Sequence, residues 1–138
     1  MVAKGPSHLT EESAWEMVRE AERQFSSGDI PAILASFTED CVIRYSAQPV
    51  MNGRNELKAW LEKRFANQRD YTLHKTLQML AGNKIGITWE GEWTDIPSGK
   101  VMQGRGVEFW TLEGEQTKDW RASFVTWAKG DPSGVTLG

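Results

Sequence analysis

Three residues combine a reactive side chain with a place in the sequence pattern that calls for a reason: Lys75, Glu108 and Tyr45. Lys75 falls in a run where Tyr71, Leu73, Lys75, Leu77 and Met79 alternate with Thr72, His74, Thr76 and Gln78. Glu108 shares its parity with Trp110 and Leu112, and Tyr45 ends Cys41-Val-Ile-Arg-Tyr45. Period two marks strands. The aromatic parity of each strand belongs on the dry side of a sheet. That parity sends Tyr45, Lys75, Trp89, Trp93, Asp95, Glu108 and Trp110 inward. A lysine and a glutamate in an apolar interior are costly unless they pair or meet a polar ligand. A shielded carboxylate beside an ammonium can take and return a proton, and a neutral phenol can hold a developing oxyanion. The expected roles are Glu108 as acid/base, Lys75 tuning it and Tyr45 on the oxyanion. Trp60, Trp89, Trp93, Asp95 and Trp110 are expected to bind the ligand. A plainer reading covers the same residues. It makes the charges a structural ion pair, or has Lys75 reach for the cavity mouth, with Tyr45 in the core and Asp95 bonding its own turn.

Other chemistry is poorly supplied. His74 has the opposite parity to Lys75 and is expected on the outer face, and His8 precedes any pattern. No nucleophile, histidine and acid come together convincingly. Cys41 is the one cysteine, which excludes an internal disulfide and fits a small buried side chain in a reducing compartment. No His/Cys spacing suits a metal, so neither metal nor other cofactor is expected. Gly104-Arg105-Gly106 leads from no strand into a helix and fits a strand bend better than a phosphate loop. The outward row Glu90, Glu92, Arg105 and Arg121 suits cross-strand pairs, a polar dimer face or plain solvated charge.

The elements that carry these residues can be read in order. Thr10 with Glu11, Glu12 and Ser13 opens a helix, and Ala14, Trp15, Val18, Ala21, Glu22 and Phe25 hold its inner face. Gly28 closes it, Asp29 caps a second helix, and Pro31 sits in that helix's first turn. Thr38-Glu39-Asp40 reads as a turn before the short strand Cys41 to Tyr45. A third helix follows Asn52-Gly53-Arg54-Asn55, with Leu57, Trp60, Leu61, Arg64 and Phe65 along one side. Four long strands follow. They are separated by Gly82-Asn83, by Asp95 to Gly99 and by Glu113-Gly114-Glu115, and the last contains Trp120, Ala122, Phe124 and Thr126. Helices first and strands after predict an α+β fold, with three N-terminal helices on one face of a mainly antiparallel sheet. Twisted strands curling around them would form a cone. Residues 10–128 are expected to make one domain, with loose tails at 1–9 and 129–138.

Composition narrows the setting. The chain has 138 residues, room for one core, and its net charge of −3 gives no footprint for nucleic acid or an anionic membrane. Seven Trp in this length suit either a dense core or the walls of a small-molecule pocket. The opening residues lack an apolar leader segment, and no apolar run is long enough to cross a bilayer, so a cytoplasmic location is expected.

The order of elements, together with Gly28-Asp29-Ile30, Phe37-Thr-Glu-Asp40, Val42 and Gly53-Arg54, resembles the nuclear transport factor two-like superfamily. That superfamily also holds ketosteroid isomerases, scytalone dehydratase and SnoaL-type polyketide cyclases. A bacterial subgroup without assigned function is more similar still. Its pattern is met at Gly53-Arg54-x-Glu56-Leu57, Asp70-Tyr71-x-Leu73-x-Lys75, Gly82-Asn83-Lys84-Ile85, Glu92-Trp93-x-Asp95 and Gly106-x-Glu108-x-Trp110. The likeness breaks at Val125-Thr126, where the subgroup tends to carry Asn-Asp. The resemblance implies a curved-sheet cone, a pocket on its concave face and a homodimer through the convex face, but no single chemistry. Carried over residue by residue, the isomerase's helix tyrosine falls near Ala21, its base aspartate at Tyr45 and its second acid near Glu108. That proton shuttle is therefore missing in its usual form. The expected function is the binding of a small, mainly apolar carbonyl compound, with isomerase, cyclase or dehydratase proton transfer as its chemistry. The alternatives are a non-catalytic ligand carrier and a protein-interaction module using the outer sheet face.

Overall fold

In a computed structural model of the chain, residues 9–131 are described. Most of both expected tails, including His8, lies outside the described residues. The order is α1 (Glu11–Ser27), α2 (Ile30–Ala35), β1 (Phe37–Tyr45), β2 (Met51–Asn52), α3 (Gly53–Asn67), β3 (Gln68–Ala81), β4 (Lys84–Asp95), β5 (Val101–Glu113) and β6 (Gln116–Ala128).

Local chemistry sets the helix ends. Thr10 and Ser13 form a reciprocal capping box at the start of α1. Gly28 ends α1 in the left-handed conformation at φ 67°, which a residue with a Cβ adopts only under strain. Asp29 then accepts from Ala32 N–H to cap α2. α1 buries Ala14, Val18 and Phe25 on one face, α2 buries Ile33, and α3 buries Leu57 and Leu61.

The six strands form one curved sheet in the order β2-β1-β6-β5-β4-β3. The four long strands are antiparallel neighbours, as the alternation predicts. β1 runs parallel to β6, so the sheet is mixed rather than purely antiparallel. The turn expected at Thr38-Glu39-Asp40 is instead part of β1. Phe37 pairs with Thr117 and Val42 with Asp119, and the register shifts in between. That irregularity holds polar residues in a strand, which is why the segment reads as a turn. β2 is too short to show a period; Met51 pairs with Ile43 at the sheet edge. Beyond β6 the described residues Lys129–Asp131 stay attached to β5, with Lys129 N–H donating to Val101 C=O.

The core lies between the concave sheet face and the helices. Trp120 is its centre, with Phe25, Phe37, Tyr45 and Trp60 around it at centroid distances of 5.9, 5.9, 5.2 and 6.2 Å. Edge and tilted contacts of this kind contribute about 0.5–1.5 kcal/mol each beyond area burial. One row of the sheet runs Lys75, Trp89, Gly106 and Phe124. The missing side chain at Gly106 lets Trp89 and Phe124 approach to 5.8 Å across it. A Cβ there would run into the Ser123 carbonyl and stand 2.6 Å from Phe124 Cβ. We therefore expect Gly106→Ala to destabilise the fold by about 1–3 kcal/mol, read as a lower midpoint of urea unfolding. A midpoint equal to the wild type would show that β5 and β6 can separate freely there.

Candidate functional site

A cavity of about 1140 Å³ opens between α1 and the concave face of β5 and β6. Met17, Ala21, Phe25, Trp110, Leu112 and Trp120 make its apolar walls, and Lys75 and Glu108 are its buried charged residues. The volume is at or above the range of roughly 300–1,000 Å³ usual for small-molecule sites.

Lys75 and Glu108 are only 4% and 2% exposed, so neither charge is solvated by bulk water. Lys75 Nζ donates to Glu108 Oε1 at 2.7 Å, and Trp110 Nε1–H donates to the same oxygen at 2.6 Å. Lys75 Nζ also lies 5.8 Å from the Trp110 ring centre. Glu108 Oε2 accepts no hydrogen bond, yet it is not among the sealed unpartnered atoms. It opens on the cavity that Glu108 lines. The carboxylate is thus fixed through one oxygen and free at the other, as a group that handles a ligand proton needs to be.

α1 fixes the backbone under this pair. Glu22 Oε2 accepts from Lys75 N–H at 2.6 Å, and Arg19 Nη1 donates to Lys75 C=O at 3.3 Å. Arg19 and Glu22 are themselves paired. The helix therefore grips both sides of the Lys75 peptide.

A second buried polar group lies on the other side of the Trp120 cluster. Arg64 is half-buried as a residue, but its guanidinium is inside the protein. Nη1 donates to Tyr45 Oη at 2.6 Å and Nη2 to Tyr71 Oη at 3.0 Å. The guanidinium carbon lies 5.5, 5.2 and 5.3 Å from the rings of Tyr45, Trp60 and Tyr71. Burial pushes the Tyr71 phenol up to about 12; the nearby Arg64 charge pulls the other way, while Tyr45 and Glu108 add to the rise. In the sequence Arg64 falls on the apolar side of α3 without a role. An arginine within the stripe Leu57, Trp60, Leu61 and Phe65 is the signal that could have found it.

The other expected site residues divide by depth along the strands. Lys75, Glu108 and Trp110 meet at the cavity. Tyr45, Trp60 and Trp93 belong to the packed aromatic region, Trp93 against Tyr71 at 5.8 Å. Trp89 packs on Phe124 and lines a more open depression of about 560 Å³ together with His74 and Arg105. Asp95 accepts from Ser98 N–H and Oγ–H, the local turn bond. Trp120 lines the cavity although the sequence does not single it out. His74 is exposed, 3.8 Å from Glu22. Among the described residues, no group of three His, Cys, Asp or Glu could hold a metal ion.

The helices, the curved six-stranded sheet and the concave cavity define a nuclear transport factor two-like α+β cone. Solved structures of that fold match along most of the chain. One is the epoxide hydrolase/cyclase-like enzyme SalBIII, described in pyran ring formation in the polyether salinomycin. It is 23% identical with a TM-score of 0.72, over 83% of this chain and 92% of that one. A second is an NTF2-like protein of unknown function from Burkholderia pseudomallei, 18% identical with a TM-score of 0.71, over 80% and 88%. A third, from Catenulispora acidiphila, has a ketosteroid isomerase-like fold and was solved with trimethylamine; it is 15% identical with a TM-score of 0.71, over 78% and 84%. No curated protein matches the sequence. The chain belongs to the family described as "Protein of unknown function (DUF1348)", which matches residues 6–128.

Two measurements probe this geometry. Lys75→Met leaves a buried carboxylate without its ammonium and should cost about 3–5 kcal/mol, whereas Lys75→Met with Glu108→Gln should recover much of that loss. Urea unfolding of the three variants gives the coupling; equal losses would mean the pair is solvated. Tyr71 holds its proton more tightly folded than unfolded, since its pKa rises from 10.0 to about 12. The stability this confers is complete below pH 10.0 and disappears as pH climbs through about 12. Tyr71→Phe should flatten that alkaline decline and remove the late phase of tyrosinate absorbance. A wild-type titration without a tyrosinate phase near pH 12 would place the phenol in water.

Proposed function

We propose that the cavity binds a small, mainly apolar carbonyl compound and that Glu108 moves a proton on it. The reaction class is isomerisation, cyclisation or dehydration. The observation that carries this reading is the Glu108 carboxylate, held through Oε1 by Lys75 and Trp110 and open to the cavity through Oε2. Oε2 takes a proton from carbon next to the carbonyl and returns it elsewhere on the same skeleton. Lys75 has two further N–H donors beyond its bond to Glu108, and these can receive the charge that builds on the carbonyl oxygen. Trp110, Phe25 and Trp120 supply the apolar walls. Tyr45 and Trp60 pack on Trp120 behind these walls, whereas Trp89, Trp93 and Asp95 lie outside the cavity lining. No cofactor is needed for such a transfer. SalBIII and the trimethylamine complex of the Catenulispora acidiphila protein are consistent with a cone that takes small molecules.

Assembly and setting follow the same reading. Met79, Val107, Phe109 and Val125 are exposed on the convex face, with Arg105 and Arg121 beside them. An apolar patch with a charged rim suits a homodimer. Buried Cys41 without a disulfide suits the reducing cytoplasm. Among the described residues, no helix is long and apolar enough to cross a membrane.

Tryptophan fluorescence under a screen of hydrophobic carbonyl compounds tests the central proposal. Saturable quenching is expected, followed by turnover of one or more hits. Glu108→Gln should keep binding within about tenfold and lower turnover by roughly 10²–10⁴-fold. Turnover that survives Glu108→Gln sinks the assignment, and saturable binding with no turnover makes the protein a carrier. For the dimer, sedimentation velocity should give twice the chain mass for the wild type and the chain mass for Phe109→Glu. A monomeric wild type removes the dimer.

A further inference from the structure

The Arg64 cluster has more donors than acceptors. Tyr45 and Tyr71, 7% and 8% exposed, each spend their oxygen on accepting from Arg64. Neither phenol hydrogen has an acceptor among the described residues. Arg64 Nε is sealed from solvent without a partner. Gln68 Oε1, one turn along, is sealed without a donor, and pairing the two would satisfy Nε but add no negative charge. The groups that act on the guanidinium charge are the two phenols, and no described carboxylate forms an ion pair with it. Lys75 and Glu108 cancel each other. The interior is therefore left with one buried positive charge and two directed O–H donors. Such a group is costly to keep unless an anion completes it.

We propose that Arg64, Tyr45 and Tyr71 form an anion-receiving pole inside the cone, built for a carboxylate or similar oxyanion. The chemistry fits each part. Arg64, bonded to both phenol oxygens, polarises their O–H groups toward an acceptor. The aromatic faces of Tyr45, Trp60 and Tyr71 hold the guanidinium in place. One aromatic layer, Trp120, separates the pole from the cavity. Tyr45 packs on Trp120, which lines it, and Glu108 is near enough to Tyr71 to act on its phenol. In combination with the proposed proton transfer, on which this extension rests, the substrate class becomes an acidic carbonyl compound. One end would be worked on by Glu108 and the other held by the pole. A free inorganic anion would meet the same donors.

The test compares sodium benzoate, neutral benzamide and sodium nitrate at matched ionic strength. It reads Trp fluorescence, since Trp60 lies beside Arg64, together with the thermal midpoint. Benzoate should quench saturably and raise the midpoint, benzamide should bind about tenfold or more weaker, and Tyr71→Phe should weaken benzoate by about tenfold. Arg64→Lys keeps a charge but loses the fork, and should weaken it as well. Nitrate binding as tightly as benzoate would support the pole and name a free inorganic anion as its occupant. Equal response to benzoate and benzamide, or a Tyr71→Phe protein that responds like the wild type, overturns the proposal, as does the absence of any anion response. Benzoate binding without turnover of any carbonyl hit removes the proton transfer and leaves the pole. Turnover of neutral ketones by a protein indifferent to benzoate does the reverse.

Discussion

A buried lysine and glutamate, joined across an apolar cone, constrain everything around them. Neither charge is tolerable alone in that interior, so the sheet must curve enough to bring β3 and β5 side chains together over β4. Gly106 makes room for Trp89 in the row beside the pair. The Arg19–Glu22 grip on the Lys75 peptide ties α1 to β3, and α1 in turn forms one wall of the cavity. Fold and site are thus the same arrangement: what stabilises the pair also keeps the cavity open beside it.

Much of the fold was legible because its signals are local. Alternation marks β3, β4, β5 and β6, although a register shift between Leu77 and Met79 turns Met79 outward, off the Lys75 parity, and the caps at Thr10, Gly28 and Asp29 stand where helix ends need them. β2 and the start of β1 were not legible. Two residues have no period, and Thr38-Glu39-Asp40 is held as strand by its neighbour β6 rather than by its own preference. The parallel pairing of β1 with β6 is a tertiary fact of the same kind.

The site was half legible, for a reason of geometry. Parity tells which face of a sheet a side chain occupies, and of the seven residues it sends inward Tyr45, Lys75, Trp89, Trp93, Glu108 and Trp110 are buried, while Asp95 is only half-buried and bonds its own turn. Parity does not tell depth along the strand. Lys75, Glu108 and Trp110 reach the cavity, Trp60 and Trp93 fill the packed region, and Trp89 lines a separate, more open depression. Of the seven tryptophans, Trp110 and Trp120 line the cavity and Trp60 and Trp93 pack in the core. Arg64 was passed over because an arginine on a helix reads as a surface residue, and only its position within an apolar stripe says otherwise.

The account turns on whether Glu108 exchanges protons with a bound carbonyl compound, and this can be measured without knowing the natural substrate. Carbonyl ligands found by fluorescence would be incubated in D₂O with the wild type and with Glu108→Gln, and deuterium uptake at the carbon next to the carbonyl followed by NMR. The account predicts uptake well above the buffer rate for at least one ligand, lost in Glu108→Gln while binding persists. Tight binding with no enzyme-dependent uptake, or uptake equal in both proteins, would contradict it.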